Sequence, residues 1–341
     1  MKIRVKAPLR LGFGGGGTDV EPYCSDYGGA VFNTTIDLFA YCLLDSDAEK
    51  DLIIFESMDL GVVTTYSAGK SIPLDGKLDL YKHIYNAFLK ISPKLSKKSI
   101  HIKTYSEVPS GSGLGGSSTL VVAIAKGFVD LLGLPWGDYE LARFSYHIER
   151  VEAGIIGGHQ DQYAACFGGF NYMEFYGNER VLVNPLRIRN WVKAEFEASL
   201  ILYFTGITRS ASIIEEEKKN AIEKNKLALD AMHQSKKDSL LMKEFILKGE
   251  VKKFADCLER SWQAKKRMAK GVTNKAVDEI YLGAINAGAL AGKVSGAGGG
   301  GFMFFVCPPE KKFNVIKFLQ NAGGQIYNFH FYNDGVTSWK Q

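Results

Sequence analysis

No two cysteines in this chain are spaced as C-x-x-C. The five that occur, Cys24, Cys42, Cys166, Cys257 and Cys307, are far apart and odd in number. That excludes a zinc knuckle and a disulfide framework, and leaves reduced, mostly buried thiols. No stretch reaches the roughly 18 apolar residues of a membrane span, and the opening MKIRVKAPLR lacks the apolar core of a secretion signal. A cytoplasmic protein without a membrane partner is expected. One-sided charge is lacking too. The 42 basic and 37 acidic residues leave a net charge of +5, compatible with anionic ligands but too small for a nucleic-acid partner. Neither an internal repeat nor a low-complexity tail is evident.

What is present is an ordinary soluble composition, 46% hydrophobic and 23% charged over 341 residues, enough for two domains with sizeable cores. MKIRVKA alternates as a short strand. Residues 28–44 are β-branched and aromatic and read as a strand; DLIIFES and LGVVTTYS read as a hairpin pair. Helical spacing marks 78–91, and the apolar run from Ser118 to Leu132 reads as a buried helix. A further helix is expected over 138–154, ending at Gly154. After about residue 185 come a buried strand (198–206), charged helices with solvated faces, and a closing strand QIYNFHFYN. The fold class is α+β in two domains, 1–185 and 186–341.

Glycine is abundant, with 37 residues, and three dense clusters stand beside strands or helix starts: Gly12–Gly17, Gly111–Gly116 and Gly296–Gly301. All three are expected as loops. Glycine costs conformational entropy but permits positive φ and close backbone approach, so three clusters point to ligand cradles. The middle one, VPSGSGLGGSST, contains G-x-G-x-x-G. A dinucleotide site wants a strand running into the loop and an acidic residue about 20 positions on. Asp130 has the offset but lies in a predicted apolar helix, and Pro109 interrupts the junction. A Walker A loop fails because no Lys follows Gly116. What remains is a helix start whose free amides suit phosphate. Ser117 and Ser118 either cap that helix or reach a metal ion.

Two carboxylates come next, in HIERVEAGIIGGHQDQY: Glu149 near a helix end, and Asp161 twelve residues later. Phosphoryl transfer to a hydroxyl needs one carboxylate at the hydroxyl and another oxygen ligand on Mg²⁺. Glu149 could instead pair with a surface Arg, and Asp161 could cap a helix. In KAPLRLGFGGGGTD, Arg10 precedes the glycines, and Thr18 and Asp19 follow them. Asp19 suits either an Asx-turn or a sugar hydroxyl. His159 reads more readily as structural than as catalytic.

In this order, APLRLGFGGGGTD, EVPSGSGLGGSST and KVSGAGGGG resemble the three motifs of the GHMP kinase superfamily, spread over nearly the whole chain. GGGGTD together with GGHQDQYAACFGGFN resembles its heptose 7-phosphate kinases, which phosphorylate the anomeric O1 to give a 1,7-bisphosphate precursor of GDP-heptose for surface polysaccharide. Gly16 and Gly17 stand where galactokinases usually carry acidic and His residues. The alternatives are a fucokinase- or galactokinase-like sugar 1-kinase, or a sugar-sensing relative without catalysis.

The resemblance implies a fold: an N-terminal domain like domain 2 of ribosomal protein S5 and a C-terminal ferredoxin-like domain. It implies ATP and Mg²⁺ as cofactors and a sugar phosphate as substrate. It also implies roles. Asp161 is the catalytic aspartate and Arg10 the basic residue that keeps it ionised. Glu149 and Ser117 are the metal ligands, with Ser118 the second choice, since Gly116 stands where many relatives have the first serine. ATP is cradled by Pro109, Ser110, Gly111, Ser112, Gly113, Leu114, Gly115, Gly116, Ser117 and Ser118, closed by Gly296 and Gly298. The sugar lies against Arg10, Gly16, Gly17, Thr18, Asp19, Gly158, His159, Gln160, Asp161 and Gln162. Arg209, Lys103 and Lys293 are candidates for the sugar's own phosphate, and Tyr66 and Tyr81 for adenine.

Overall fold

The computed structural model describes residues 1–46, 51–207, 213–214, 216–217 and 225–341. Two sheets carry the architecture. The larger runs β12-β1-β2-β5-β3-β4, with β6 on β2 and β7 on β6. Its strands are β1 (Lys2–Gly14), β2 (Gly29–Asp45), β3 (Leu52–Ser57), β4 (Val62–Ser67), β5 (Ile100–Ser106), β6 (Phe170–Tyr176), β7 (Arg180–Pro185) and β12 (Thr337–Lys340). The smaller contains β8 (Leu200–Phe204), β9 (Ala291–Val294), β10 (Phe302–Val306) and β11 (Gln325–Tyr327), ordered β11-β8-β10-β9. Counted within this half, that order is fourth, first, third, second, which is the ferredoxin-like arrangement.

Helices α2 (Asp79–Ile91), α3 (Gly116–Leu132), α4 (Asp138–Tyr146) and α5 (Gln160–Phe167) share one core with the large sheet, α3 lying across β1 and β2. A short helix α1 (Tyr23–Tyr27) precedes β2, and α6 (Asn190–Ser199) leads into β8. Helices α7 (Lys226–Lys248) and α8 (Val251–Lys266) pair with each other, while α9 (Lys275–Asn286) and α10 (Lys312–Asn321) cover the small sheet.

β1 is longer than MKIRVKA suggests. It continues through Gly12 and Gly14, so the first glycine cluster is loop only from Gly15 onward. The strand shifts register between Pro8 and Leu9, beside the proline, and again between Gly12 and Gly14, at the glycines. Alternation then sorts the motif. Leu9, Leu11 and Phe13 enter a core between the two sheets, where Phe13 meets Phe32, Phe196, Phe254 and Phe304 at ring distances of 5.3–5.6 Å. Arg10 and Gly12 turn the other way; a Cβ on Gly12 would lie 3.4 Å from the Gln160 side chain.

Two other expectations are corrected. The helix expected over 138–154 stops at Tyr146 and continues as a π-turn over His147–Glu152. The closing strand is only Gln325–Tyr327; the chain then returns to the large sheet, where β12 pairs with β1. The N- and C-terminal segments are therefore one structural unit at that edge, with Arg4 donating to the Gln341 side chain at 2.7 Å.

Candidate active site

Gly115, at φ 80°, turns the second glycine loop into α3, and no side chain caps the helix. The first amides of α3 therefore face an open cleft with the positive end of the helix dipole. A Cβ on Gly116 would meet no atom of a described residue within 4 Å. The cleft is lined by Arg10, Gly16, Gly17 and Asp19 from the first motif and by Gly111–Gly113 and Gly115–Ser118 from the second. Glu149, Arg150, residues 155–158, Gln160, Asp161, Gly296 and Ala297 complete it.

The two serines do not cap the helix. Ser117 donates to Glu149 Oε1 at 2.8 Å. The Ser118 hydroxyl oxygen accepts from Arg150 at 3.0 Å and from Gln162 at 3.2 Å. Gln162 also donates to Glu149 Oε2 at 2.7 Å. Glu149 is carried inward by the π-turn and is 1% exposed. Adjacent ligands on an octahedral magnesium ion, each at about 2.1 Å, are about 3 Å apart. The Ser117–Glu149 pair matches one such edge with two oxygen donors, so the residues present suit a hard divalent cation. Ser118 is already held by two donors.

Asp161 lies in the first turn of α5, and Arg10 lies across from it. Arg10 Nε donates to Asp161 Oδ1 at 2.7 Å, and its Nη1 donates to the Gly113 carbonyl at 2.7 Å. Arg10 is 4% exposed. It therefore locks the carboxylate and the glycine loop together through one rigid fork.

The glycines explain how the three loops meet. Gly113, at φ 90°, lies so close to the third motif that a Cβ there would fall 2.6 Å from the Ser295 carbonyl oxygen. Phe302 N–H donates to the Ser112 carbonyl at 2.8 Å, and the Ser295 hydroxyl donates to that of Gly113 at 3.0 Å. Lys265, from α8, donates to the Gly296 and Val294 carbonyls and ties the third loop down.

Not every expected contact faces the cleft. Thr18 is fully buried and, among the described residues, its hydroxyl bonds only to the backbone of Gly15 and Ala30. Gln162 points to Glu149 and Ser118, not to the open space. His159 is 3% exposed and stacks on Tyr146 at 3.7 Å. Asp19 does reach the cleft, but it also accepts from Gly17 N–H at 3.1 Å and Gln160 N–H at 3.0 Å, so it joins loop one to α5. Gly298 packs against Val272, outside the lining.

Pro109 and Ser110 border a neighbouring cavity that also touches Gly116 and Ser117 and includes Tyr81 and Leu120. Tyr66 does not line it; its ring lies against Phe55 and the Lys82 ammonium. Lys103 pairs with Glu56 at 3.0 Å, and Lys293 is buried against the Phe13 carbonyl at 2.9 Å. Neither lines the cleft. Arg209 falls outside the described residues.

Sequence reading missed Arg150. Next to Glu149 it looks like a helix-surface residue. Instead it lies 3.5 Å from Glu149 Oε1, bonds Ser118, and donates to the Ile155 and Gly158 carbonyls at 3.4 Å each. The π-turn, which no periodicity announced, is what turns it inward.

His159 makes a pH prediction. Burial lowers its pKa from 6.5 to about 4. The unfolded chain then binds this proton more tightly, so acid favours unfolding. The contribution, up to roughly 3 kcal/mol, is intact above about pH 6.5 and lost as pH falls to about 4. His159→Gln should flatten the melting temperature across that window, measured with a chelator present; an unchanged slope would refute the assignment. The exposed His330, raised by Glu197, works in the opposite sense in both proteins and cancels in the comparison.

Known proteins share this chain's sequence and fold. The model of the GHMP kinases N terminal domain matches residues 82–169, and that of the GHMP kinases C terminal region matches residues 242–325. A D-glycero-alpha-D-manno-heptose 7-phosphate kinase from Campylobacter jejuni subsp. jejuni serotype O:2 is 50% identical over 99% of both chains. A crystal structure described as a D-glycero-D-manno-heptose 1-phosphate kinase from Bacteriodes thetaiotaomicron superimposes with a TM-score of 0.84, at 42% identity over 99% of each chain. An L-fucokinase/L-fucose-1-P guanylyltransferase from Bacteroides fragilis is 29% identical over 93% of this chain but only 36% of its own length. With three glycine loops around one Arg-held aspartate and this degree of identity from end to end, the chain belongs to the GHMP kinases and has their two-domain fold.

Proposed function

We propose that this protein transfers the γ-phosphoryl group of ATP to the anomeric O1 of D-glycero-D-manno-heptose 7-phosphate, giving the 1,7-bisphosphate and ADP. One observation carries the reading. The Arg10-held carboxylate of Asp161, the Ser117–Glu149 oxygen pair and the open start of α3 share one cleft. They do so in a chain half identical to a heptose 7-phosphate kinase.

In this reading the amides of Gly116 to Ser118 receive phosphate oxygens. The neighbouring cavity beside Tyr81 takes the base. Ser117 and Glu149 hold Mg²⁺, which neutralises charge on the phosphates. Gly16, Gly17, Asp19, Gly158 and Gln160 face the sugar. Asp161 orients O1 and accepts its proton as the new phosphorus–oxygen bond forms and the bond to ADP breaks; the proton then passes to solvent. Arg10 keeps the Asp161 carboxylate in place. Gly296 and Ala297 close the phosphate side. ATP and sugar phosphates as substrates make the cytoplasm the expected place of work.

A phosphotransfer assay with heptose 7-phosphate, unphosphorylated heptose, fucose and galactose tests this. Heptose 7-phosphate should have the highest kcat/KM, with the new phosphate on the anomeric carbon by phosphorus NMR. Equal use of fucose would support the fucokinase alternative. ATP turnover with none of the four would support the sensor. The metal pair gives a second prediction. Glu149→Gln should raise the Mg²⁺ concentration for half-maximal rate by roughly tenfold or more, and an unchanged Mg²⁺ profile would remove Glu149 from that role.

A further inference from the structure

Behind the sugar end of the cleft lies a second cluster with different chemistry. Glu21, Cys24 and His159 each offer one donor atom, and the three atoms lie within 4.8 Å of one another. His159 is held flat between Tyr146 and Phe175, at ring distances of 3.7 and 5.7 Å. Only its edge is left for polar contact. Although nine-tenths and more buried, its imidazole has no hydrogen bond to any described residue. An imidazole edge without a hydrogen-bond partner, beside a thiol and a carboxylate, leaves three donor types converging on one point.

We propose that Glu21, Cys24 and His159 bind a thiophilic divalent cation of the Zn²⁺ class, separate from the Mg²⁺ site. Sulfur, imidazole and carboxylate together select such an ion over Mg²⁺, which wants oxygen ligands. Adjacent ligands on a tetrahedral zinc are about 3.5 Å apart, so the cluster closes by side-chain movement of about 1 Å. Glu21 is exposed and supplies that movement, while Cys24 and His159 stay fixed in the core. Charge balances: a thiolate and a carboxylate neutralise the dication, and the thiol proton leaves to solvent. Burial, with the Glu21 and Asp19 carboxylates, holds the thiol protonated in the absence of metal. Burial keeps His159 neutral and ready to ligate.

The ion would fasten two segments of the cleft wall. His159 N–H already donates to the Asp19 carbonyl at 3.3 Å, and Gln160 N–H donates to the Asp19 carboxylate at 3.0 Å. Asp161 is the next residue along. A metal across Glu21, Cys24 and His159 makes that junction rigid.

The test is a Co²⁺ titration of the chelator-stripped full chain, which does not depend on the kinase reading. A thiolate-to-cobalt charge-transfer band should saturate near one equivalent and survive millimolar Mg²⁺. Zn²⁺ should displace Co²⁺ and raise the melting temperature by several degrees. Cys24→Ser should abolish the band while melting normally without metal. Glu21→Gln, at an exposed position, should weaken Co²⁺ binding by about tenfold or more. No band, or a band that survives Cys24→Ser, overturns the proposal. If Cys24→Ser does not fold, unchanged Co²⁺ affinity in Glu21→Gln overturns it instead.

Discussion

Asp161→Asn is expected to lower kcat by about 10²-fold or more while leaving ATP affinity unchanged. The amide has the size of the carboxylate. Its oxygen can still accept from Arg10 Nε, now 2.7 Å from Oδ1. The other atom of the group then becomes an NH₂ that donates where a base should accept. Geometry is preserved and proton acceptance is lost, so the effect falls on the chemical step. Single-turnover rates and ATP binding, measured on the same preparation, separate the two. Near-normal turnover would mean that Asp161 is only a structural partner of Arg10.

The second large effect concerns the loop interlock. Gly113→Ala should destabilise the protein by at least about 2 kcal/mol and weaken ATP binding strongly. Two costs combine: an L-residue at φ 90°, and a Cβ 2.6 Å from the Ser295 carbonyl oxygen, a backbone atom that no rotamer can move. Gly116→Ala is the control. Its Cβ meets nothing among the described residues within 4 Å and it sits at the first position of α3, so stability should hold or rise. Activity should still fall there, because the methyl group enters the cleft. Urea unfolding and ATP titration of both variants decide the point. Equal stability of the two would show that loops two and three are not locked together.

These contrasts mark where the sequence was legible. The loops announced themselves because glycine is expensive, and a cluster of it beside a strand or helix asks for a reason. Glu149, Asp161 and Arg10 were legible as types, and the cleft brings all three together. Direction was harder to read. Thr18, His159 and Gln162 lie within one or two residues of cleft-lining positions yet point into the protein. Neighbouring residues in a strand or helix face different ways, and glycine-rich segments have no apolar period from which to tell which. Gly12 and Gly14 were read as loop because glycine is rare in strands; the strand carries them with a register shift between the two. Arg150 was hidden for the same kind of reason: a π-turn adds a residue to the local repeat and rotates the side chains beyond it.

β1 carries Arg10 at one end and pairs with β12 at the other. On the ribosome residues 15–336 are made between these two strands. Until residues 337–340 are made, the β1 edge is an open template for pairing with another chain. The strand that holds Arg10 against Asp161 therefore waits for its edge partner while residues 15–336 are made, and that vulnerable interval is set by translation rather than by its own folding rate.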